Sequence, residues 1–208
     1  REFEALDRGN LPCAYSFQKE KPLPGKMVIE SPSDKKDLAK VQYMFQIPSK
    51  NHEDGPAIPF LESILTAFPY GLLVEQLREK SCLVYSLKSS TSGHEETRYL
   101  VFEYTLPKKD LDVSLDIVEG CFSRLKKGDF PEELLSIMKA SAIPGIFYKY
   151  AQPGWIVEEL FSRVHGQKRG IDISLIDLTR KAISTTKEQL VCVANKYLTP
   201  ERIVWLQK

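Results

Sequence analysis

The chain has 208 residues, 42% of them hydrophobic and 27% charged, with a formal net charge of +1. That is enough chain and apolar content for one sizeable core, or for two small halves sharing one. The near-neutral balance, with no basic stripe interleaved with aromatics, excludes nucleic acid as the expected partner. Apolar runs of only a few residues exclude a membrane-spanning helix.

No charged n-region followed by an apolar h-region opens the chain, which starts at Arg1; no signal peptide is expected, and the sequence reads as an excised fragment. Cys13, Cys82, Cys121 and Cys192 lie far apart without a Cys-x-x-Cys pair. This is the pattern of buried reduced thiols in a cytosol-like compartment. The expected location is cytoplasmic, or mitochondrial if the parent protein is eukaryotic.

Residues 1–26 are dense in proline and glycine (Pro12, Pro22, Pro24, Gly25) and predict an extended segment or linker. A single domain is expected over 27–208, opening with a short strand at Met27 to Glu30. From Lys40 to Ile47, Val41, Tyr43, Phe45 and Ile47 alternate with their neighbours and predict a sheet strand that Pro48 ends. After a polar turn, Ile58, Leu61, Ile64, Leu65 and Phe68 have helical spacing, closed by Pro69. Leu73, Val74 and Leu77 continue with a short helix. Leu83, Tyr85 and Leu87 then alternate as a strand, so helix turns directly into strand between Tyr70 and Ser92.

Ser89 to Glu96 predicts a polar hairpin connection and Arg98 to Thr105 a returning strand. Leu111, Leu115, Val118, Phe122 and Leu125 define a helix closed by Lys126-Lys127-Gly128. Pro131-Glu132-Glu133 starts another, which Pro144-Gly145 should kink or end and Gln152-Pro153-Gly154 breaks. Helices follow at Trp155 to His165 and Ile173 to Ile183. Thr185-Thr186-Lys187-Glu188 reads as a capping box for a last helix with Leu190, Val191, Ala194, Tyr197 and Leu198 inward. Arg202 to Leu206 closes the chain as a strand. Strands before and after a block of helices predict an α+β fold, with helices on one face of a mainly antiparallel sheet.

Residue chemistry alone points to no complete active site. His52, His94 and His165 are scattered, with no pair four residues apart on a helix; His94 falls at a hairpin tip. The serines and thiols lack a base at any suggestive spacing, and no phosphate-binding glycine pattern occurs. The helix-to-strand reversal sets Arg78, in the last helical turn, near Tyr85 at the start of the strand. A guanidinium with five donors and a phenolic hydroxyl suit backbone carbonyls or a developing oxyanion. The plain alternative also fits: a cation placed for the helix macrodipole and a half-buried strand tyrosine.

Leu77-Arg78-Glu79-Lys80-Ser81-Cys82-Leu83-Val84-Tyr85-Ser86 resembles the Leu/Ile-Arg-Glu-Lys-x-Gly-Leu-Ala/Val-Tyr-Ser signature of insulinase-type (pitrilysin superfamily) zinc metallopeptidases. That signature lies in their C-terminal, non-zinc half; the group includes the mitochondrial processing peptidase. The strand at Val41 to Ile47, the Gly128-x-x-Pro131-Glu132-Glu133-Leu134 helix start and the Thr185 to Pro200 ending follow in the family's order.

The resemblance implies a processing-peptidase-like half, working with a domain or subunit that carries an inverted His-x-x-Glu-His zinc motif and a distal glutamate. Arg78 would grip a substrate backbone carbonyl, and Tyr85 would donate to the oxyanion formed on an extended peptide substrate while zinc-activated water attacks. The implied zinc belongs to that partner half, and this chain is expected to bind no metal and to be inactive by itself; a homodimer is a further arrangement the resemblance allows. The family often has Ser-Arg-Leu where Gly71-Leu72-Leu73 stands and Gly where Cys82 stands, so the turn is expected to differ slightly. Two functions stay open: the substrate-binding domain of a zinc metalloendopeptidase, and a catalytically inactive scaffold or partner subunit of the same family.

Overall fold

Strict alternation makes strand β2 (Leu38–Ile47) the centre of the sheet: Ala39, Val41, Tyr43, Phe45 and Ile47 are buried and the residues between them half-buried. The computed structural model describes residues 25–32, 37–49, 52–94, 97–167 and 175–207, with backbone alone for 94, 97, 162, 163, 165–167 and 175. Cys13 and all but Gly25 and Lys26 of the 1–26 segment lie outside the described residues. The other strands are β1 (Met27–Ser31), β3 (Leu87–His94), β4 (Thr97–Pro107) and β5 (Arg202–Gln207), in the order β1-β5-β2-β4-β3. β1 and β5 pair in parallel and the other three pairings are antiparallel. This is the expected α+β architecture.

The helices are α1 (Ile58–Thr66), α2 (Leu72–Val74) running on into π-helical turns over Glu75–Lys80, α3 (Leu111–Lys126), α4 (Glu132–Tyr150), α5 (Pro153–Gln167), α6 (Leu175–Ile183) and α7 (Lys187–Tyr197). Helix α3 is the keystone. Its Phe122 ring meets Tyr43 and Phe45 edge-on at centroid distances of 5.6 and 5.2 Å and lies 6.0 Å from Phe102. Edge-to-face pairs of this kind each contribute about 0.5–1.5 kcal/mol beyond burial. One polar link joins the same layers, with the Tyr104 hydroxyl 3.3 Å from Ser114 Oγ, which donates to the Leu111 carbonyl at 2.7 Å. Burial raises the Tyr104 hydroxyl to about 12, so it stays protonated.

Arg202, at the start of β5, is buried with its guanidinium carbon 5.8 Å from the Tyr43 ring and 5.7 Å from the Phe45 ring. It donates to Glu119 of α3 and, at 3.1 Å, to the Thr199 carbonyl. The last strand is thus tied to α3 by charge as well as by the ladder. On the opposite face of the sheet, Lys40 Nζ lies 2.9 Å from Glu103, to which Gln42 also donates. A polar second face is what an antiparallel sheet with helices on one side permits.

Several expected boundaries move. Helix α1 stops at Thr66, and Phe68 is 65% exposed instead of buried in the helix face, because Ala67 is already extended and a residue before proline is driven from helical backbone. Strand β3 begins at Leu87, not Leu83. Ser89 to His94 belongs to that strand, where pairing with β4 outweighs the weak strand preference of serine and glycine; His94 pairs with Thr97, and Glu95 and Glu96 lie outside the described residues. Helix α4 continues through Pro144. The carbonyl that Pro144 cannot bond is that of Ala140, which is exposed and open to water. The capping box is one residue later than expected. Thr186 Oγ1 accepts from Gln189 N at 3.2 Å and Gln189 Oε1 accepts from Thr186 N at 2.8 Å, while Thr185 is buried with its N–H on the Ala182 carbonyl. Cys121 is buried, but Cys82 and Cys192 are exposed, so the thiols do not share one environment.

Replacing Phe122 by alanine should cost about 3–5 kcal/mol, read from urea denaturation. A loss under about 1 kcal/mol would show that α3 is not held to the sheet through this ring.

Candidate functional site

The segment that carries Arg78 is fixed from beneath. Leu72, Leu73 and Leu77 are buried, and the Cys121 thiol of α3 lies 3.5 Å from the Leu72 carbonyl. Burial raises that thiol to about 11, so it acts as a neutral apolar group. Ahead of it, residues 67–71 turn so tightly that Gly71 N donates to the Ala67 carbonyl at 2.6 Å. A Cβ at Gly71 would stand 2.6 Å from Ala67 N and 2.8 Å from Leu65 O, both backbone, so only glycine fits. The same turn leaves the side chains of Phe68 and Tyr70 in solvent.

Over Glu75–Lys80 the helix widens. Ser81 N reaches back five residues to the Gln76 carbonyl at 3.1 Å, and the Leu77 carbonyl accepts from both Leu83 N, at 2.9 Å, and Val84 N, at 3.3 Å. Apolar spacings of three and four residues fit this wider turn as well as an α-helix, so the sequence carried no mark of it. Cys82 makes the reversal with φ of 51°, the left-handed conformation that favours glycine. The chain then tucks Val84 into the core and leaves Tyr85 87% exposed.

Arg78 and Tyr85 come together. The guanidinium carbon lies 5.5 Å from the Tyr85 ring centroid and 4.8 Å from that of Phe68. Tyr85 therefore precedes β3 and is neither on the strand nor half-buried. Arg78 Nε faces Glu79 Oε1 at 3.3 Å, and Lys80 Nζ is bound to Glu75 at 2.7 Å. The Lys80 ammonium holds the Glu75 carboxyl below its ordinary range. Among the described residues, the terminal nitrogens of Arg78 and the Tyr85 hydroxyl make no hydrogen bond; Tyr85 stands in solvent and Arg78 is half-buried. Phe68 is the member that sequence reasoning missed; Phe-Pro directly after a helical run was the available signal.

Among the described residues, one group of side chains brings three metal-binding atoms within 4.8 Å: His52, Glu53 and Asp54. Its donor set does not fit a cation. Asp54 Oδ2 already accepts from Lys196 Nζ at 2.5 Å and the Tyr197 hydroxyl at 2.7 Å, and His52 Nδ1 accepts from Asp54 N at 3.1 Å. Partial burial would raise the Asp54 carboxyl, but these two donors outweigh it and hold the group below its ordinary value. The cluster ties the loop before α1 to the end of α7 and is a structural ion pair.

A family model described as the peptidase M16 inactive domain matches residues 2–142. No curated protein matches the chain. Among solved structures, a protease from Helicobacter pylori aligns with a TM-score of 0.81 at 20% identity, covering 98% of this chain and 48% of that one. The peptidase M16 inactive domain from Pseudomonas fluorescens aligns with a TM-score of 0.73 at 19% identity, covering 88% and 43%. The ferredoxin protease FusC, in complex with Arabidopsis ferredoxin, aligns with a TM-score of 0.66 at 15% identity, covering 88% and 20%. At these identities the likeness is one of fold. The chain spans about half the length of the first two.

Two measurements test the site's framework. Cys82→Gly should stabilise the protein by about 1 kcal/mol by relieving the left-handed backbone, whereas Gly71→Ala should cost about 1–3 kcal/mol through the backbone clash; thermal denaturation that gives both the same sign contradicts the turn geometry. Asp54→Asn should cost about 0.5–1 kcal/mol at pH 7. Because the folded carboxyl is depressed, its contribution is complete above the ordinary aspartate value of about 3.9 and disappears as pH falls through the lower folded value. The difference in Tm between wild type and Asp54→Asn should close there, and zinc added at pH 7 should leave the Tm of both unchanged.

Proposed function

Because the chain belongs to the family described as the peptidase M16 inactive domain, we propose that it is the substrate-holding, non-zinc domain of a zinc metalloendopeptidase. The observation that carries this reading is the outward-facing pair: Arg78 beside the Tyr85 ring at 5.5 Å, with the terminal donors of both side chains unspent. Cleavage itself would depend on the Lewis acidity of zinc held by another domain or subunit. What this chain's residues do is hold and polarise. Arg78 donates to a backbone carbonyl of an extended peptide, fixing its register. The Tyr85 hydroxyl donates to the carbonyl oxygen that gains negative charge, an interaction that strengthens as the charge develops.

Strand β3 supports the choice of an extended substrate. It is an edge strand, paired with β4 on one side, and it starts two residues beyond Tyr85. A peptide added along its open edge would run directly to the Arg78 and Tyr85 donors. The neighbour solved with ferredoxin supports segments of proteins, as well as short peptides, as substrates. A partner is supported by surface as well as by length. Phe147, Tyr148, Val157, Leu160 and Phe161 on α4 and α5 are more than half exposed, an apolar surface suited to contact with another domain.

The description of the family as inactive favours a second reading, a purely supporting domain in which Arg78 and Tyr85 have no contact with substrate. Turnover separates the two. In the full-length protein with its zinc-bearing half, Tyr85→Phe should lower kcat by roughly 10²–10³-fold if the hydroxyl meets the oxyanion, and Arg78→Ala should act chiefly on KM. Losses below about threefold for both variants, well short of the cost of an oxyanion donor, would leave the supporting role.

A further inference from the structure

The guanidinium of Arg78 is oriented by aromatic rings, and this constrains what it can bind. Phe68 gives the closer contact, 4.8 Å from ring centroid to guanidinium carbon, against 5.5 Å for Tyr85. Phe68 is 65% exposed and contributes little to the core, and the backbone around it is constrained: Gly71 has no room for a Cβ, and α1 ends two residues before the ring. We infer that Phe68 is a positioning residue for Arg78, holding the guanidinium through its π-face so that the terminal N–H donors stay free for an uncharged peptide carbonyl.

The physical argument turns on which part of the cation each partner uses. A carboxylate that oriented Arg78 through its terminal nitrogens would consume two in-plane donors and neutralise the charge. A ring attracts the cation through its quadrupole and leaves the in-plane N–H groups unspent. Glu79 faces Arg78 at Nε, at 3.3 Å, and among the described residues no hydrogen bond engages the terminal nitrogens. Such a group is charged, oriented and unsaturated in hydrogen bonds, which suits a backbone carbonyl approaching from solvent. Tyr85 then has two functions, a ring against the cation and a hydroxyl toward the substrate, whereas Phe68 has one.

This inference rests on the proposed function, and its test is arranged so that the two fail separately. In the full-length protein with its zinc-bearing half, Phe68→Leu should lower kcat/KM by roughly twofold to fivefold, the range of an exposed cation–π contact of about 0.5–1 kcal/mol. The loss should lie mainly in KM, with Tm unchanged. Phe68→Tyr, which restores a π-face, should recover the wild-type value. Because Phe68 acts through Arg78, the loss should vanish when Phe68→Leu is made in an Arg78→Ala background. An additive double variant, an unaffected Phe68→Leu, or equal losses for the leucine and tyrosine variants would each overturn the positioning role while leaving Arg78 and Tyr85 in place. If Arg78→Ala and Tyr85→Phe are themselves without effect, the substrate-holding reading fails and this inference falls with it.

Discussion

The insertion of Phe122 among Tyr43, Phe45 and Phe102 is the contact on which the rest of the molecule depends. It sets the distance between α3 and the sheet, and α3 is also the surface on which the Arg78 segment rests, through Cys121 against the Leu72 carbonyl. Neighbouring residues on one helix therefore face two layers, Phe122 toward the sheet and Cys121 toward the site. A change in the core at this point would be passed on to the site as displacement, since packed interiors do not absorb volume changes smoothly.

The proposed site would be half of one. Its two candidate side chains, the half-buried Arg78 and the exposed Tyr85, have terminal donors without hydrogen bonds, and among the described residues no cluster of metal-binding groups adjoins them. In an isolated protein such an arrangement gains little stability, since an Arg78 contact with an exposed ring contributes only about 0.5–1 kcal/mol. The geometry is instead held by local backbone features: a turn at Gly71 that admits no side chain, π-helical turns, and a left-handed residue at Cys82. Unusual backbone is retained where surrounding packing over-determines it, and here Leu72, Leu73, Leu77 and Val84 supply that packing.

Much of this was legible in the order of residues. The alternation at Val41, Tyr43, Phe45 and Ile47 located β2 and its buried face; the spacing of Leu111, Val118, Phe122 and Leu125 located α3; and the decapeptide around Arg78 and Tyr85 pointed to the family. The misplacements have a common character. Phe68 has the spacing of a helix that ends two residues before it. Leu83 and Tyr85 alternate like a strand but belong to the reversal before β3. Ser89 to His94 has the polar side chains of a loop, although its backbone pairs with β4 throughout.

The sequence by itself determined the α+β layering, the buried faces of β2 and α3, the absence of a zinc motif within the 208 residues and the pairing of Arg78 with Tyr85 as candidates. Each of these follows from periodicity or from residue identity at fixed spacing, which local chemistry enforces without reference to distant chain. Only the tertiary structure decided that α2 widens into π-helical turns, that Cys82 adopts a left-handed conformation, that Asp54 is consumed by Lys196 and Tyr197, and that Phe68 joins Arg78. The reason is physical: the Asp54 contacts join segments far apart in sequence, and the backbone of the 68–82 segment is set by how it packs on α3 and the core, so the outcome depends on packing energies of which the apolar spacing carries no trace.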